Sequence, residues 1–153
     1  MPQCADTTPT AECVHTITRL GVFAGARSPS GPDMKLVKAN FHCHAPTCLS
    51  IALYTCNASV HTSCANKTLL CEERPIYGGY YGGRGDPRLA GRFDEPGYIA
   101  QPACVWGSAE HGLEAPPLVS GVNLYAEAKT NSTYGHHGEM AWMQVYYLKE
   151  PRK

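Results

Sequence analysis

Two histidines one residue apart, His42 and His44, sit in the run Asn40–Cys56 (NFHCHAPTCLSIALYTC). The run has strand character, and residues two apart on a strand point to one face, so both imidazoles converge there while Cys43 points the other way. A distant stretch, Tyr134–Leu148 (YGHHGEMAWMQVYYL), offers Met140 two residues after Gly138, at the head of another strand-like run. Two imidazoles and a thioether form a soft nitrogen–sulfur set, and copper, Cu(I) above all, is the ion such a set prefers. His136, four residues before Met140, is the candidate fourth ligand or a group bonded to one. The candidate metal residues are therefore His42, His44, Met140 and His136.

Each has a plainer reading. His-x-His pairs are often solvated strand residues, and Met commonly fills irregular gaps in a core. His136 and His137 fit an exposed turn. Cys43 can bind metal only as a thiolate, and a disulfide with Cys48 competes for it. Glu139 is read as a solvated turn carboxylate. His15, His61 and His111 receive no role. The chain shows no Ser/His/Asp elbow, no paired carboxylates in motif context and no zinc-type Cys-x-x-Cys, so no catalytic residue is assigned.

The order of motifs carries two resemblances. His42-x-His44, a distant Gly138-Glu139-Met140 and an aromatic strand through Tyr146-Tyr147 resemble the second domain of the copper type II, ascorbate-dependent monooxygenases. In that family a His-x-His strand and a late Met hold the copper that activates oxygen. Over more of the chain, Leu70-Cys71-Glu72-Glu73-Arg74-Pro75-Ile76-Tyr77-Gly78, then Glu95-Pro96-Gly97-Tyr98-Ile99 with Cys104, then His136-x-Gly138-x-Met140, is similar to the plant stress-up-regulated nodulin-like proteins. Those are secreted β proteins, and the likeness implies a Cys71–Cys104 pair. The likenesses together span about residues 34–148.

Departures matter as much. The monooxygenases draw electrons from a further domain with a second copper on three histidines, for which this chain has no room. Their Met is followed by a disulfide-bonded cysteine, where Ala141 stands here. An open copper site activates oxygen only with an electron source, so hydroxylation by this chain alone is not expected.

The elements that must position these residues read as strands. Thr16–Ala24 is β-branched and apolar; Arg27–Asp33 is a turn cluster; Met34–His44 is a strand in which Val37, Ala39 and Phe41 face inward. Ala45-Pro46-Thr47 turns the chain into Leu49–Cys56. Leu69–Glu73 and Gly97–Val105 follow as strands, separated by the Gly-, Tyr- and Arg-rich loop Pro75–Gly97. That loop contains Arg84-Gly85-Asp86, an adhesion-type tripeptide whose plainer reading is a charged turn. Val122–Lys129 alternates Val122, Leu124, Ala126 and Ala128 inward, and Met140–Leu148 is the last strand. No stretch has a helical period. Short strands at regular spacing predict an all-β, antiparallel, jelly-roll-type β-sandwich, and the monooxygenase likeness implies the same fold. We expect a lead segment over 1–15 and one sandwich domain over 16–150.

With 153 residues the chain is long enough to bury a core, and its formal net charge is zero. No Lys/Arg cluster offers a surface to nucleic acid, and no apolar run reaches the roughly 18 residues that span a bilayer, so neither nucleic acid nor membrane insertion is expected. Eight cysteines and three sequons, at Asn57, Asn66 and Asn131, point to secretion with N-linked glycans. Nearest-neighbour pairing, Cys4–Cys13, Cys43–Cys48, Cys56–Cys64 and Cys71–Cys104, is expected among the many connectivities open to eight cysteines. The start, MPQCADTTPTAEC, has neither a basic n-region nor an apolar h-region, so a fragment or a mature sequence without its leader is expected.

Three functions fit. The first is a secreted copper-binding module without activity of its own. The second is a structural subunit of an extracellular glycoprotein fibre or coat, partnered by copies of itself or by another extracellular protein. The third is part of a monooxygenase whose electron-supplying domain is on another chain.

Overall fold

The computed structural model describes residues 3–21, 31–45, 47–56, 64, 66–78, 99–131, 135 and 137–151. His136, Asn57, His61 and the Arg84-Gly85-Asp86 tripeptide lie outside them. The described strands are β1 (Val14–Gly21), β2 (Asp33–His42), β3 (Cys48–Cys56), β4 (Lys67–Glu73), β5 (Ile76–Tyr77), β6 (Ile99–Ala100), β7 (Cys104–Val105), β8 (Asn123–Asn131) and β9 (Trp142–Glu150). All the strand pairings among them are antiparallel: one sheet runs β1-β8-β3-β4, a second β7-β2-β9, and β5 pairs with β6. Helix is limited to two 3-10 turns among the described residues, Thr10–Glu12 and Ala109–His111. No helix among the described residues is long and apolar enough to cross a membrane.

The protein is thus all-β, with the two larger sheets sharing one core. Met34, Leu36, Ala39 and Phe41 of β2 meet Ile51 and Leu53 of β3 and Leu124, Ala126 and Ala128 of β8, closed by Trp106 and Val119. Met143, Val145 and Tyr147 of β9 pack against that cluster. Strand alternation produces it: Leu124, Ala126, Ala128 and Thr130 are buried, while the residues between them are more exposed.

Several boundaries differ from the sequence reading. A register shift between Leu36 and Lys38 inserts Val37 as an extra residue, so Met34 and Leu36 face the core before it and Ala39 and Phe41 after it. Val37 itself is only half-buried. The strand expected over Gly97–Val105 is two short ones, because Pro102 interrupts the run. The last strand begins at Trp142, so Met140 precedes it.

Four disulfides are closed: Cys4–Cys13, Cys43–Cys48, Cys56–Cys64 and Cys71–Cys104. The last links β4 of one sheet to β7 of the other, spanning 33 residues. Such bridges suit an oxidising compartment.

Candidate functional site

Two chain crossings between the sheets lie side by side at one end of the molecule. Residues 43–47 carry the chain from β2 to β3, and residues 132–141 carry it from β8 to β9. Because His42 pairs with Trp142, and Cys48 with Thr130, the ends of the two crossings are neighbours. His44 lies on the first crossing, and Met140 on the second.

The first crossing is held rigidly. Cys43, 1% exposed, points inward and bonds Cys48, so it is not available to a metal. Its backbone has left the ladder with β9, and the Gln101 side chain stands in for a strand. Gln101 Oε1 accepts from Cys43 N at 3.2 Å and Gln101 Nε2 donates to Cys43 O at 2.5 Å. Cys48 N donates to His44 O at 3.1 Å and closes the turn. The Tyr77 hydroxyl donates to Cys48 O at 2.6 Å.

The second crossing is tied to the first. Thr47, 3% exposed, donates its hydroxyl to Glu139 Oε1 at 2.7 Å. Glu139 is not a solvated turn carboxylate as its sequence context implies: its Oε2 is sealed from solvent. Burial, and then the nearby Glu139 carboxylate, push the Tyr77 phenol up to about 12. Gly138, at φ 78°, takes the left-handed conformation that lets the chain turn into Glu139.

His42 is exposed at the end of β2 and His44 half-buried just past it. Their ring centroids are 5.1 Å apart with planes at 85°. The two rings thus meet edge to face at the end of β2. Trp142 flanks it, 6.5 Å from the His42 ring. Met140 is 45% exposed rather than core. The β2–β9 ladder ends at His42–Trp142, so His44 and Met140 each lie two residues beyond the same end of it. Imidazole and thioether are donor types that suit Cu(I).

The remaining residues are spread out. His137 is exposed. His111 is exposed, with Nδ1 2.8 Å from Ser108 Oγ. Asn66 is exposed ahead of β4 and Asn131 ends β8, its N–H donating to Thr47 O at 2.8 Å. Sequence reading missed Thr47, Tyr77 and Gln101, whose roles rest on contacts between distant parts of the chain. It also left His15 unassigned, although Cys13 lies two residues before it, just ahead of β1. In comparisons with family models, curated proteins and solved structures, the chain matches none.

Proposed function

We propose that this is a secreted, glycosylated β-sandwich module of jelly-roll type that binds one copper ion through His42, His44 and Met140, with His136 the candidate fourth ligand. It has no catalytic activity on its own. The observation that carries this reading is the adjacency of the two sheet crossings, locked by the Thr47–Glu139 bond. Met140, an exposed thioether, and His44 each lie two residues beyond the same end of the β2–β9 ladder, and the His42 and His44 rings are 5.1 Å apart. The motif order shared with the monooxygenase second domain supports the same donor set. A single ion of this kind activates oxygen only when another centre supplies electrons, so the role proposed for the module is to hold copper.

The test is a copper titration followed by tryptophan emission. The chain has two tryptophans, and Trp106 is buried in the core while Trp142 flanks His42. Cu(II) should quench the Trp142 share of the signal at a one-to-one end point, and Trp142→Phe should remove the response. His42→Ala and His44→Ala should abolish saturable quenching, and Met140→Ala should weaken retention of Cu(I). Unsaturable quenching, unchanged in the histidine variants, contradicts the reading.

A specific observation also favours the assembly reading. Trp142, Tyr146 and Leu148 point outward along β9, at 41–53% exposure, with Val105 and Leu118 on the same face across Lys38 and Lys35 of β2. β9 is the edge of the described sheet. A long apolar edge strand of this kind is where another chain adds. Sedimentation across a concentration series tests it: Tyr146→Lys and Leu148→Lys should abolish any self-association of the parent. A parent that stays monomeric at all concentrations removes this second reading.

A further inference from the structure

We propose that Cys4, Cys13 and His15 form a second metal site, of two sulfurs and one nitrogen, which the Cys4–Cys13 disulfide keeps closed and which two-electron reduction opens to zinc. Their ligating atoms all lie within 4.8 Å of one another. His15 Nε2 is 3.4 Å from Cys4 Sγ and 3.6 Å from Cys13 Sγ. In a tetrahedral zinc site with bonds of about 2.3 Å to sulfur and about 2.0 Å to nitrogen, the sulfur–nitrogen edge is about 3.5 Å. Both sulfur–nitrogen edges are therefore already set. Only the sulfur–sulfur separation must open, to about 3.8 Å in the same geometry. The two Cα atoms, 6.0 Å apart, leave room for that with side-chain rotation.

Contacts other than the bridge also hold the scaffold around the triad. His15 lies in β1 and pairs with Thr130 of β8, which pairs in turn with Cys48 of β3, so three strands fix its backbone. The loop holding Cys4 is turned by its own hydrogen bonds, Thr8 N to Ala5 O at 2.8 Å and Glu12 N to Pro9 O at 2.9 Å. Cys13 is 1% exposed, whereas Cys4 is half-buried and offers the sulfur an incoming thiolate reaches first. The reductant is a dithiol. One of its thiolates attacks Cys4 Sγ, the disulfide bond breaks, and Cys13 leaves as a thiolate that takes up a proton. The second thiolate then displaces the Cys4 thiolate, which is protonated, and the reductant ends as its own disulfide. Zinc binding to the two cysteines releases both protons and leaves a fourth position for water.

The experiment uses the whole chain, treated with graded dithiothreitol under anaerobic conditions and then freed of reductant. Alkylation mapping by mass spectrometry identifies the opened bridge, circular dichroism follows the fold, and zinc uptake is measured. Cys4–Cys13 should open with the β signal intact, and about one zinc per chain should then bind, as a single site of two thiolates and one imidazole requires. Zinc should shield Cys4 and Cys13 from alkylation. His15→Ala and, as a second variant, Cys4→Ser should lose that uptake, whereas His111→Ala, at an exposed histidine outside both sites, should keep it. Equal uptake in His15→Ala, alkylation of Cys4 and Cys13 indifferent to zinc, or opening only with loss of the fold would each overturn the proposal.

Discussion

Thr47 Oγ1 donates to Glu139 Oε1 at 2.7 Å across 92 residues of sequence, fastening the crossing that carries His44 to the one that carries Met140. A buried hydrogen bond to a carboxylate is among the stronger polar contacts in a protein, and losing its donor leaves a charge poorly solvated. Thr47→Val should therefore cost about 2 kcal/mol in denaturant unfolding. Glu139→Gln, which keeps an acceptor oxygen and removes the charge, should cost less. If Thr47→Val is the milder of the two, the bond does not fasten the crossings as described.

Tyr77 links the same region to pH. Its phenol is pushed up to about 12 in the folded chain, first by burial and then by Glu139, against an ordinary value of 10.0. Between those values the unfolded chain has lost the phenolic proton that the folded chain keeps, so stability falls as pH rises through that window. Below it the contribution is whole. Tyr77→Phe should flatten the alkaline fall in stability while costing about 1 kcal/mol at neutral pH for the bond to Cys48 O. An alkaline limb identical in the variant assigns that fall to other groups.

The sequence already contained the strands, because period-two alternation is local: Leu124, Ala126 and Ala128 are apolar at every second position, and all three are buried. The disulfide pairs were legible for a related reason, since three of them close short loops of the chain. What local pattern cannot carry is which distant elements meet. Val37 reads as inward until the shift at Leu36/Lys38 sets it aside. Glu139 reads as solvated until Thr47 covers it. The likeness of His42, His44 and Met140 to a copper set was visible as residue types in order, but that His44 and Met140 lie beyond the same end of one ladder depends on the β2–β9 register.

On the outer face of the four-stranded sheet, Lys67 pairs with Glu127 and lies 4.4 Å from the Tyr54 ring centroid and 5.4 Å from that of Tyr125. Its ammonium pKa is raised, chiefly by the hydrogen bond to Glu127. The cluster is solvent-facing, so Lys67→Met should cost no more than about 1 kcal/mol, most of it lost in high salt. Thermal melts at low and high salt read both. A large, salt-independent loss would mark the cluster as part of the core's support instead.

Cys71–Cys104 joins the two sheets over 33 residues, whereas Cys43–Cys48 spans five. Closing the longer loop restrains the unfolded chain more, so replacing the Cys71–Cys104 pair by Ala should lower stability by about 3 kcal/mol. Replacing Cys43–Cys48 should cost less globally while loosening His42 and His44. Denaturant unfolding of the two double variants gives the order, and the reverse order would place the main staple at the crossing.

Metal content decides the central claim most directly. The protein should be purified from its source without chelators and assayed for copper, beside recombinant His42→Ala and Met140→Ala chains loaded under the same conditions. The account predicts about one copper per chain, lost in His42→Ala and weakly held in Met140→Ala, as expected for a soft nitrogen–sulfur set. No copper in the natural protein, or a content that neither substitution changes, would contradict it.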